Sequence, residues 1–100
     1  MRPTASGTVM VKVVEIKKTC DALPAQWEGT DEKGRPVYVR YRWGFLWIGV
    51  GKKGEDINSA VDGQEIFGKE IGKSLDGIMS YDGLRAVTAG IIEFPPEEAK

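Results

Sequence analysis

Arginines and aromatic residues crowd into one short stretch, "RPVYVRYRWGFLWIGVG", residues 35–51. Tyr38, Arg40 and Arg42 recur at a spacing of two, and Phe45 and Trp47 do the same after Trp43-Gly44. Residues spaced by two share one side of a β-strand. Arginine forks onto a phosphate or carboxylate and stacks on aromatic rings. Tryptophan and phenylalanine are flat surfaces on which a base stacks, worth about 1–3 kcal/mol per base in single-strand binders. The chemistry these types offer is recognition of something flat or anionic. Arg35, Lys52 and Lys53, with Lys33, stand at the other end of the same stretch and extend the positive field.

The charge layout agrees. The whole chain has a net charge of −1. Residues 33–54 carry +6 and no acid, whereas residues 55–100 carry −6. A basic block within a near-neutral chain describes a local patch, not bulk affinity for nucleic acid.

Bond-making chemistry finds little support. The chain has no histidine, which removes the usual general base and the commonest zinc ligand. A Cys-His or Ser-His-Asp site within one chain is therefore excluded. Cys20 is the only cysteine, so no intramolecular disulfide forms, and free cysteine is usually a small buried residue. "GKEIGKS" (68–74) looks like a phosphate-binding loop, but one residue too few separates its glycines. "DINSAVDG" (56–63) looks like a calcium loop, but Ala60, Val61 and Phe67 stand where a glutamate, glycines or other ligands belong. Asp56 is better read as a cap or turn residue. Paired acids such as Glu55-Asp56 and Glu97-Glu98 are cheapest as solvated charge. No catalytic residue, metal or cofactor is assigned, and an enzyme working on carboxylates is the least favoured class.

Positioning the arginines and rings requires a hairpin. Residues 8–17, "TVMVKVVEIK", are β-branched and predict a strand. Its inward set runs Val9, Val11, Val13 and then changes parity to Val14 and Ile16, as at a β-bulge. Residues 18–25 read as a connection. A three-stranded meander follows, over roughly 26–30, 37–43 and 45–51. Its first turn is the polar "TDEKGRP", and its second centres on Trp43-Gly44, where glycine supplies a positive φ.

The register of the second hairpin follows from its apolar pattern. With a two-residue turn, Tyr41 faces Leu46, Val39 faces Ile48 and Val37 faces Val50, all on a core side. The other side receives Tyr38, Arg40 and Arg42 against Gly49, Trp47 and Phe45. A three-residue turn would mix arginines with aliphatics, and a buried face specifies register. Residues 52–77 are glycine-rich and predict loop, a helical turn after Asp56 and a short strand near 64–67. "SYDGLRAVTAG" predicts a helix capped by Ser80, with Leu84, Val87 and Ile91 on one stripe and Gly90 at its end. "IIEFPP" is placed to dock along a sheet edge.

The expected fold is α+β: one domain over residues 1–100, with an antiparallel sheet of four or five strands, a β-meander, and one C-terminal helix packed on it. Residues 1–7 and 96–100 read as tails. No apolar run approaches the ~20 residues of a membrane span, and the N-terminus lacks a signal-peptide block, so a cytoplasmic location is expected. Which side the helix covers decides the function. If it lies on the arginine side, Trp47 and Phe45 are core. If not, they form a contact surface, since aromatics and arginine concentrate at binding hot spots.

"PAQWEG" (24–29) and "GRPVYVRYRWGFL" (34–46) resemble segments of small proteins encoded by phages and prophages. The resemblance implies an accessory protein that acts in the host cytoplasm by binding, often to block or sequester a host component. The expected function is a non-catalytic, self-associating binding protein holding an anionic, nucleotide-like ligand. The expected ligand-binding residues are Tyr38, Arg40, Arg42, Phe45, Trp47, Arg35, Lys52 and Lys53, with Trp43 as a partner contact. The alternative is an inhibitor or anti-defence protein that occludes an acidic or nucleic-acid-binding host surface.

Overall fold

The structure, a computed structural model, describes residues 11–20, 25–72 and 79–96. Its elements are β1 (Val11–Cys20), β2 (Ala25–Asp31), β3 (Pro36–Arg42), β4 (Phe45–Val50), α1 (Asn58–Val61), β5 (Gln64–Glu70), α2 (Tyr81–Thr88) and β6 (Ile92–Glu93). One six-stranded sheet runs in the order β5-β4-β3-β2-β1-β6 and curls into a half-barrel. Neighbours are antiparallel except β1 and β6, which pair parallel through Val11–Ile92 and Lys12–Glu93. The α+β class holds, but the sheet is mixed and has six strands, not four or five. The extra pairings are β5 on β4, longer than its sequence suggested, and β6 on β1.

β1 carries the bulge its sequence announced. Val13 pairs with Asp31 and Glu15 with Thr30, leaving Val14 as the extra residue. Val11, Val13 and Ile16 point into the core, but Val14 is exposed, not inward. An unpaired bulge residue need not follow either face. β1 also runs on to Cys20, which is half-buried, through residues read as a connection. Val9, Asp21, Pro24 and residues 1–7 and 97–100 lie outside the described residues.

The core lies on the inner side of the curl. Trp27 is its largest fully buried side chain, packed with Val39, Leu46 and Ile48. α2 closes this side. Ser80 caps it by accepting a hydrogen bond from the Gly83 N–H at 3.0 Å, and Leu84 is fully buried in the same core. Lys18 Nζ stands 5.0 Å from the Trp27 ring centre and donates to the Met79 carbonyl at 3.1 Å. The helix presents Leu84 and Thr88, not Leu84 and Val87: Val87 is exposed. Thr88 can be buried because its hydroxyl donates to the Leu84 carbonyl at 2.8 Å. Among the described residues, no helix is long and apolar enough to cross a membrane.

Candidate functional site

The β3–β4 hairpin has the register its pattern dictates. Val37 pairs with Val50, Val39 with Ile48 and Tyr41 with Leu46, and all six are buried. On the outer side Arg42 pairs with Phe45, Arg40 with Trp47 and Tyr38 with Gly49. Trp43 and Gly44 make the two-residue turn with φ of 59° and 73°, the paired positive values of a type I′ turn. The Gly44 carbonyl accepts from the Ile71 and Gly72 N–H groups at 2.9 and 3.1 Å, which ties the tip to the chain leaving β5.

α2 does not cover this outer side. A different element touches part of it. α1 and the loop before it cross the far end of the hairpin, with Ala60 fully buried. Gly49 makes room there. A side chain at residue 49 would begin 2.2 Å from the far edge of the Trp47 indole and 2.5 Å from the Ala60 carbonyl oxygen. The indole thus leans back over Gly49 towards α1 and meets Tyr38, with ring centres 6.3 Å apart and planes tilted by 57°. Tyr38 is buried, and its hydroxyl accepts a hydrogen bond from Gln26 Nε2 at 2.7 Å. Burial raises the Tyr38 pKa above 10.0; Arg40 opposes the shift, Glu28 adds to it, and the Gln26 hydrogen bond opposes it.

Arg40 lies between Gln26 on β2 and Trp47 on β4. Its Nε is buried and has no hydrogen-bond acceptor among the described residues. Arg42 stacks on Trp43 at 4.8 Å from the ring centre. Trp43 and Phe45 are 56% and 42% exposed, among the most exposed large apolar side chains. Arg40, Arg42, Phe45 and Trp47 therefore form one strip with Trp43 at its end.

The other expected residues do not join them. Arg35 precedes β3, seven residues before Arg42, or about 23 Å at about 3.3 Å per residue. Its Nε donates to Asp31 Oδ2 at 2.7 Å, and its backbone N–H donates to Asp31 Oδ1 at 2.8 Å. Asp31 is only 2% exposed and also accepts from the Lys33 N–H at 3.0 Å. Arg35 thus serves a buried clamp that shapes the β2–β3 turn. Lys52 and Lys53 are exposed at that same end, where the Gly54 N–H reaches the Gly34 carbonyl at 3.3 Å. Tyr38 is present but packed inside.

Sequence reasoning missed a groove of about 770 Å³ over β1 and β2, lined by Glu15, Lys17, Lys18, Glu28 and Thr30 and by Glu55 and Ile57 of the α1 loop. Its three glutamates outnumber its two lysines, and none of Arg40, Arg42, Phe45 and Trp47 lines it. No signal in the local pattern placed the α1 loop over the sheet. Asp56 is a turn residue, its Oδ1 accepting from the Asn58 N–H at 3.1 Å. Among the described residues, no three Cys, Asp or Glu side chains gather to hold a metal ion.

Fold and strip together define a small curled-sheet protein with a basic aromatic hairpin on its outer side. Compared with protein-family models, curated proteins and solved structures, the chain matches none.

Proposed function

We propose that the chain is a non-catalytic binding protein whose β3–β4 hairpin holds an anionic, nucleotide-like ligand on its outer side. One observation carries this: the buried Arg40 Nε–H has no acceptor among the described residues, and Arg40 pairs across the hairpin with Trp47. A buried donor without a partner costs about 1–3 kcal/mol. Turning the Arg40 side chain outward onto a phosphate oxygen, with a base against Trp47, relieves that cost and adds stacking. Such a protein acts by sequestering its ligand, as the phage-accessory resemblance implies. Calorimetric titration with nucleoside mono- and diphosphates tests it. The wild type should give heat with at least one nucleotide, and Arg40→Ala with Arg42→Ala should abolish it. No heat from the wild type with any nucleotide overturns the proposal.

Trp43 supports a second reading, occlusion of a host protein surface. A tryptophan at φ 59° is rare outside glycine, asparagine and aspartate positions, and this one is exposed with Arg42 stacked on it. Exposed tryptophan and arginine are the commonest interface anchors.

A further inference from the structure

We infer that the ligand of this strip is a short single strand of nucleic acid running along β4, rather than an isolated nucleotide. The inference rests on the proposed anion-binding role of the hairpin and narrows its ligand.

The strip repeats. Arg40 with Trp47 makes one rung, and Arg42 with Phe45 makes the next. Each rung holds one guanidinium on β3 and one ring on β4. The rungs are two residues apart, about 6.8 Å at about 3.4 Å per residue. Nucleotides in a stacked strand repeat at about 3.4 Å. A strand drawn out to twice that spacing or somewhat more, since the Trp47 indole leans over Gly49 away from Phe45, places successive bases on Trp47 and Phe45 and their phosphates near Arg40 and Arg42. A repeating receptor suits a repeating ligand. Trp43 extends the line past the turn, its ring exposed and its face against Arg42.

The flanks restrict the ligand to one strand. Glu70 of β5 pairs with Phe45; on β2, Gln26 pairs with Arg40 and Glu28 follows beside Tyr38. The positive strip is thus only two β-strands wide, with no cation opposite it on β2 and glutamates at two of its corners. A duplex would set its second phosphate chain against those glutamates.

Fluorescence and calorimetric titrations of the full chain at low salt test this, with thymidine 5′-monophosphate and 5′-phosphorylated thymidine dimers, trimers and hexamers. Affinity should rise at least about tenfold from monomer to trimer, since a second stacked base and phosphate are engaged. For two phosphate contacts at about −0.7 each, log K should fall against log salt with a slope of about −1.4. Phe45→Ala with Arg42→Ala should remove most of the length-dependent gain; Phe45 is exposed, so the fold should survive its loss. Equal affinity for monomer and trimer overturns the inference and leaves nucleotide binding standing. Equal affinity for a thymidine–adenine duplex also overturns it. No binding by any of these overturns both proposals.

Discussion

Replacing Arg40 with methionine distinguishes a binding arginine from a structural one. In the folded chain the Arg40 Nε–H is stripped of water and meets no acceptor among the described residues. Removing an unpaired buried donor returns about 1–3 kcal/mol. Methionine keeps an unbranched, adaptable stem, so the apolar cover over the sheet is largely retained. What is lost is the interaction of a half-exposed charge with its surroundings, worth about 0–1 kcal/mol. The net expectation for Arg40→Met runs from no change to a gain of about 3 kcal/mol. At about 4–8 °C per kcal/mol for a domain of this size, Tm should hold or rise by up to about 24 °C. Scanning calorimetry and urea unfolding measure it, and nucleotide titration of the same variant should show binding lost. A gain in stability with a loss of function marks a residue kept for binding. A stability loss above about 1 kcal/mol would refute this, because Arg40 would then hold the fold together.

Three further outcomes are expected. Asp31→Ala should cost about 2–4 kcal/mol in urea unfolding, because Lys33 and Arg35 N–H groups and the Arg35 guanidinium all lose their shared acceptor; a loss under about 1 kcal/mol contradicts the clamp. Trp43→Asn should leave stability unchanged or raise it by about 1 kcal/mol, since asparagine tolerates the left-handed conformation better, and a larger loss would show that the ring packs into the fold. Burial raises the Tyr38 pKa above 10.0, so the folded state holds that proton more tightly than the unfolded state. The resulting stability is complete below about pH 10 and is lost as pH climbs through the folded value. Tyr38→Phe should flatten that alkaline decline, which absorbance titration and unfolding at several pH values will read; an unaltered decline argues that Tyr38 titrates normally.

Much of the hairpin was legible because only one side of it is uniformly aliphatic. Val37, Val39 and Tyr41 against Leu46, Ile48 and Val50 leave a single register that buries them all, and the Trp43-Gly44 turn follows from it. The bulge in β1 was legible from the change in parity, but not which residue it ejects, since Val13 and Val14 are equally apolar. The docking of "IIEFPP" on a sheet edge was legible, but not its parallel pairing with β1, because two residues carry no periodicity. Nor was the covered side of the sheet. Both sides of β4 are apolar in part, and only the tertiary arrangement puts Leu84 in the same core as Leu46 and Ile48 while Ala60 lies over Gly49. Composition likewise grouped Arg35, Lys52 and Lys53 with Arg40 and Arg42. Charge counting has no direction along a strand, and the buried Asp31 that claims Arg35 lies on the preceding strand.

Two-dimensional NMR of the backbone and side-chain N–H groups, with added thymidine 5′-monophosphate, tests the central claim most directly. The chain has three tryptophans: Trp27 is sealed in the core, Trp43 stands at the tip and Trp47 lies beside Arg40. The Arg40 Nε–H and Trp47 indole N–H signals should move together and saturate, while the Trp27 indole stays fixed. Unmoved Arg40 and Trp47 signals, with shifts at Lys17 and Glu28 instead, would place the ligand in the neighbouring groove and contradict binding on the hairpin.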